Sequence, residues 1–153
     1  MNVDECFAKG LLKKDKPDME KSIRSVDMAK LKLDKARDLF DSEIFDMALV
    51  NAYISMFHSG RALLFRDGVR EKSHFGLYIY LIEKYSDKIE QRFLNELNAL
   101  RLERHEVFYG LEKTEIEEVE AESAIESAEA FLTAVKKLIN ITRKKEADNE
   151  KRR

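Results

Sequence analysis

The sequence is poor in the residues that mark several structural classes. Cys6 is the single cysteine among 153 residues, so no internal disulfide can form and a disulfide-stapled fold is excluded. One proline and five glycines rule out collagen-like and Pro/Gly-rich disordered chains. Tryptophan is absent. No apolar run approaches the roughly 18 residues of a membrane-spanning helix. The opening MNVDECFAKG lacks the basic-then-apolar order of a secretory signal. The net charge of −2 is too small to draw in polyanions by itself. These absences lead to the expectation of a cytoplasmic protein with no membrane association.

What is present suffices for one packed core. Apolar residues make up 44% of the chain, and the length suits a single domain with or without a tail. The charge is unevenly spread. Residues 112–129 hold eight glutamates against Lys113, whereas residues 136–153 hold eight Lys or Arg against Glu146, Asp148 and Glu150. One reading is a long helix whose acidic start and basic end match the macrodipole. The other makes residues 141–153 a flexible basic tail beyond a domain at 1–140, touching RNA or an acidic partner.

Apolar residues recur with helical spacing along most of the chain. Pro17 can stand in the first turn of a helix, followed by Met19, Ile23, Val26, Ala29, Leu33, Ala36 and Phe40 at steps of three and four. Asp41 and Ser42 offer caps for a second helix, with Phe45, Ala48, Leu49, Ala52, Tyr53, Met56, Leu63 and Leu64 inward and an end near Asp67-Gly68. Ser73 can cap a short third helix that leaves His74 exposed. Ser86-Asp87 separates it from a fourth carrying Ile89, Phe93, Leu97 and Leu100, which Gly110 can end in a left-handed cap. A capping box from Thr114 to Glu117 is expected to open the last helix, which buries Ala121, Ala124, Ala128, Phe131, Leu132, Val135, Leu138 and Ile139. No stretch alternates like a strand. Such stripes can be buried only against one another, which predicts an all-α, up-and-down four-helix bundle with an extra short helix and an N-terminal segment.

Chemistry-bearing patterns are sparse. His58, His74 and His105 lack the repeated Glu-x-x-His spacing of a bundle-borne metal site, and Glu71-x-x-His74 occurs once. No glycine-rich phosphate loop or GxSxG elbow is found, so no metal or cofactor is expected. His58 reads as a hydrogen-bonded core histidine, and Tyr53, Phe57, Phe65, Tyr78 and Tyr80 as core or interface aromatics. The one dense polar cluster is LRLERHEVFYG from Leu100 to Gly110, where Arg101, His105 and Tyr109 fall at i, i+4 and i+8. Arg104 continues the Phe93, Leu97, Leu100 stripe and must emerge near a buried seam. There it either pairs with a core-facing acid or, with His105 and Tyr109, forms a pocket for a phosphodiester or nucleotide.

Four segments together carry a resemblance: NAYISMFHSGRALL from Asn51 to Leu64, KSHFGL from Lys72 to Leu77, LRLERHEVFYG, and the Ala/Glu-rich last helix to Leu138. In this order and spacing the chain resembles the HEPN family of prokaryotic helical proteins, in particular its small stand-alone UPF0332 type, over about residues 1–140. The resemblance implies a helical bundle that forms a homodimer. It implies a toxin–antitoxin pair with a nucleotidyltransferase partner. It also implies a metal-independent RNA-cleaving site in which an Arg is followed after four to six residues by His. On that pattern the catalytic candidates are Arg104, His105 and Tyr109, and the nucleotide- or RNA-binding candidates are Arg101, Arg104 and Tyr109. This chain departs from the pattern. With four residues intervening after Arg104, the position holds Tyr109, whose phenol ordinarily titrates near 10. His105 is adjacent to Arg104 and so points about 100° away on a helix. Three functions follow as expectations: nucleotide or RNA binding without efficient cleavage, a metal-independent endoribonuclease toxin, or a structural helical adaptor.

Overall fold

A computed structural model of the chain describes residues 1–112 and 115–152, with the side chains of 141–146 left out. Its helices are α1 (Val3–Ala8), α2 (Met19–Asp41), α3 (Phe45–Asp67), α4 (His74–Tyr85), α5 (Gln91–Tyr109) and α6 (Glu118–Lys151). Two short strands, β1 (Leu12–Lys14) and β2 (Val69–Glu71), pair antiparallel with Leu12 opposite Glu71. The all-α bundle expected from the sequence is what forms, and no helix among the described residues is long and apolar enough to cross a membrane.

The α2–α3 hairpin is the spine. Its seam is made of small residues: Ser22, Ser25, Ala29 and Ala36 meet Ala48, Ala52, Ser55, Ser59 and Ala62, all buried. Small side chains let the backbones approach, and the approach then satisfies the buried hydroxyls. Ser22 Oγ donates to the Ala62 carbonyl and Ser55 Oγ to the Ala29 carbonyl, each at 2.7 Å. The other sides of α3 receive α6, α5 and α4. Gly60 allows the α4 contact, because a Cβ there would lie 3.0 Å from Leu81 Cδ1. Tyr53, Met56, Leu63, Leu64, Leu77, Leu81, Leu94, Leu97, Phe131 and Val135 fill the centre. Each contributes on the order of 1.5 to 3 kcal/mol by leaving water.

Several local expectations are corrected. Pro17 lies outside α2; the N-cap is Asp18, whose carboxylate accepts from the Lys21 N–H at 2.9 Å. Asp41 ends α2 and Ser42 is its C-cap, while Glu43 takes φ 60° and α3 starts without a side-chain cap. Gly110 ends α5 in extended geometry (φ −66°, ψ 145°), not left-handed. The capping box of α6 is Glu117 with Glu120; Thr114 lies outside the described residues. The β1–β2 ribbon was unforeseen, being three residues long on each side and stabilised by pairing rather than by pattern. The backbone of the expected basic tail continues α6 to Lys151, with Arg153 and the side chains of 141–146 outside the described residues.

Candidate anion-binding site

The site is assembled by a chain reversal. Gly68 closes α3 in the left-handed region at φ 77°, which glycine adopts without the steric cost of a Cβ. Strand β2 follows, and Ser73 caps α4 by accepting from the Gly76 N–H at 2.8 Å. His74 is therefore the first residue of α4 and lies back against α3, half-buried, where the sequence reading left it exposed. Its ring stacks on Phe57 with centroids 4.2 Å apart. Its Nδ1 is 2.6 Å from the Tyr53 hydroxyl.

That hydrogen bond has a defined polarity. Tyr53 is 1% exposed, and burial pushes its phenol well above the ordinary value, so it remains O–H. Among the described residues its hydroxyl has no other acceptor, so it donates to Nδ1 and leaves the imidazole proton on Nε2. Burial, then the guanidiniums of Arg104, Arg101 and Arg61, push the His74 pKa down to about 4. His74 is therefore neutral at pH 7, first because it is buried and then because the charges acting on it are positive.

Helix α5 brings in two of those arginines. Arg104 Cζ lies 6.0 Å from the Tyr53 ring centre and 5.4 Å from that of Phe108, within cation–π range. Its Nε is buried without a hydrogen-bond partner among the described residues. No described carboxylate forms an ion pair with it. Arg101 donates from Nε and Nη2 to Asn98 Oδ1 at 3.2 and 3.0 Å, and its Cζ is 5.4 Å from the Phe75 ring centre. Arg61, from α3, has Nε 2.7 Å from Glu71 Oε1. Three guanidiniums thus face one imidazole with a single carboxylate among them. The arrangement suits a phosphate: guanidinium forks and a neutral Nε2–H are all donors.

The structure brings Arg101 and Arg104 together and puts His105 and Tyr109 elsewhere. His105 is exposed, and its ring contact is with Tyr109 at 5.0 Å; Tyr109 is 67% exposed and also touches Phe108. The rings beneath the Arg104 guanidinium are Tyr53 and Phe108. Sequence reasoning missed Tyr53, Phe57, Arg61, His74 and Phe75 as site residues. The available signal was Ser73-His74 directly after a predicted turn, since a cap fixes the direction of the first helical side chain.

The HEPN domain family matches residues 23–138. Two proteins of Methanocaldococcus jannaschii are similar in sequence. The one named Putative toxin MJ0605 is 33% identical over 138 residues, covering 86% of this chain and 96% of its own length. The other, named Putative toxin MJ0142, is 28% identical over 131 residues, covering 82% and 88%. A match spanning all the long helices up to Leu138, with a one-third identical relative of nearly the same length, places the chain in the HEPN domain family.

Proposed function

We propose that this HEPN protein is of the toxin type and binds the phosphate of RNA or of a nucleotide at Arg104, Arg101 and His74. The observation that carries the reading is the Arg104 guanidinium: half-buried, with no described acid paired to it, next to an imidazole kept neutral by burial and by the surrounding guanidiniums. A buried cation without a partner costs stability, and a bound phosphate supplies the missing counter-charge. The names of the two relatives support the toxin assignment. A nucleotidyltransferase partner and a homodimer belong to the same proposal. Leu102, Phe108, Tyr109 and Leu111 all lie exposed toward the end of α5, which supports a second copy docking there. Such a dimer brings His105 and Tyr109 to the rim of the site.

Metal-independent RNA cleavage is the second reading, and His74 is the observation that favours it. A guanidinium to hold the phosphate and an imidazole Nε2 within the same cluster are the groups needed for attack by a ribose 2′-OH. One experiment separates the readings: labelled RNA incubated with EDTA and the purified protein, beside Arg104→Ala, His74→Ala and His105→Ala. Binding alone predicts intact RNA and nucleotide-dependent thermal stabilisation that Arg104→Ala abolishes. Cleavage predicts cut RNA, with the histidine variant that stops it identifying the proton-transfer group. An adaptor predicts neither effect.

A further inference from the structure

Apart from the Arg104 cluster, a basic pocket opens between α2 and α3. Its walls are Lys21, Arg24, Met28, His58, Arg61 and Phe65, around about 220 Å³. Four other clefts of the surface each have an acid in the wall: Asp41 with Glu122 and Glu126, Asp34 with Glu129, Asp27, and Glu90. This pocket has three cations and no carboxylate in its lining. Two of its cations hold acids outside the lining: Arg61 Nε lies 2.7 Å from Glu71 Oε1, and Arg24 pairs with Glu20 at 3.0 Å, where both side chains are more than 70% exposed and the pair yields readily to a competing anion. The volume is below the range of drug-sized ligand pockets and suits one base or phosphate rather than a whole cofactor.

Arg61 joins this pocket to the Arg104 cluster. Its Cζ is 5.2 Å from the Phe65 ring centre and 5.8 Å from that of Phe57, while Phe57 stacks on His74. Lys21 Nζ lies 5.8 Å from the Phe65 ring centre. The result is a row of rings with two guanidiniums set among them: Phe65, Arg61, Phe57, the neutral His74, the buried Tyr53, Arg104 and Phe108. Phe57 and Phe65 are eight residues apart, about 12 Å along the helix. A stacked strand advances about 3.4 Å per nucleotide, so the row is longer than one nucleotide. His58, edge-on to Phe57, supports the same picture: burial, then Arg61 and Lys32, push its pKa down to about 4, with no acid in opposition.

We infer that the α2–α3 pocket is a second nucleotide subsite, which receives the neighbouring part of a single RNA strand whose phosphate is held at Arg104 and His74. This rests on the phosphate reading proposed above. Interleaved rings and cations bind single strands because every base has a face to stack and every phosphate a charge to neutralise.

The test uses the full chain, adenosine monophosphate, and a 2′-O-methylated oligoadenylate that cannot be cut by 2′-OH attack. Binding is followed by titration, with the ring signals of His58 and His74 as separate reporters of the two subsites. The oligonucleotide is expected to shift both histidines and to bind at least about tenfold more tightly than the mononucleotide. Lys21→Glu with Arg24→Glu, both on exposed side chains, removes the His58 shift and most of that advantage while the His74 shift persists. Arg104→Ala removes the His74 shift. Equal affinity for mono- and oligonucleotide, or an oligonucleotide affinity unchanged by the double variant, overturns the subsite but leaves the phosphate reading intact. A base-paired duplex that binds as tightly as the single strand also overturns it. Failure of both ligands to bind overturns both proposals.

Discussion

Two arginine clusters, one at the end of α3 and one where α5 meets α3 and α4, show how the fold treats cations in opposite ways. Near the end of α3, Arg66 is fully engaged. Its Nε lies 3.3 Å from Asp67 Oδ1, its Nη1 donates to the Leu138 carbonyl, and its Nη2 to the Tyr85 hydroxyl. Asp67 Oδ2 in turn accepts from the hydroxyls of Tyr80 and Tyr85, tying α3 to α4. Around His74, Arg104 and Arg101 face rings, an amide and each other's field, and the one nearby acid belongs to Arg61. Arg66 is held by its own bundle and so serves stability. Arg104 is left with donors to spare and so suits an external anion.

The contrast can be broken by measurement. A large effect on stability is expected at Asp67→Ala, which takes away one partner of Arg66 and the acceptor of two buried tyrosine hydroxyls. It should lower the free energy of unfolding in urea by about 2 to 4 kcal/mol. A loss under about 1 kcal/mol would mean that the Arg66 network is ornamental. Arg104→Met should behave oppositely, keeping stability within about 1 kcal/mol of the parent or raising it, because an unpaired cation is replaced by an apolar chain. Its cost should appear only in ligand binding, with nucleotide-dependent stabilisation lost. If Arg104→Met unfolds the protein as readily as Asp67→Ala, the two clusters are alike and the binding proposal falls.

Smaller effects sharpen the picture around His74. Tyr53→Phe removes the donor to Nδ1 and should cost about 1 kcal/mol, with the Nε2–H tautomer losing its preference in nitrogen NMR. In Arg104→Ala, His74 should titrate at a higher pH than its parent value of about 4, because one of the charges depressing it is gone. The last effect is global. His58 and His74 each have a folded pKa near 4 against an ordinary value of 6.5, so the unfolded chain binds more protons between these limits. Stability should therefore fall as pH drops from about 6.5 towards 4, and this part of the slope should vanish in the His58→Gln, His74→Gln double variant.

Much of the bundle was legible because helical stripes and caps are local. The Ala29, Leu33, Ala36 stripe, the inward set from Ala48 to Leu64, and the Ser73 cap all occur where spacing puts them. Gly110 misled because a glycine permits a left-handed cap without requiring one. Here its N–H reaches the Glu106 carbonyl from extended geometry, with no room for a Cβ. At the site, Arg101 and Arg104 could be singled out because polar residues that continue an apolar stripe must emerge at a seam. What waited at that seam was not legible: Tyr53 and His74 are 51 and 30 positions earlier in the chain.

By itself the sequence determined which segments after Pro17 are helical and which apolar face of them is buried, since periodicity acts within one turn and hydrophobic burial does the rest; α1, before Pro17, was not legible. Only the tertiary structure decided that Arg66 meets an acid and Arg104 does not, that His74 turns inward onto Phe57, and that Arg61 stands between the Arg104 cluster and the basic α2–α3 pocket. Charges and rings act through space over a few ångströms, and those distances exist only after α3, α4 and α5 have packed.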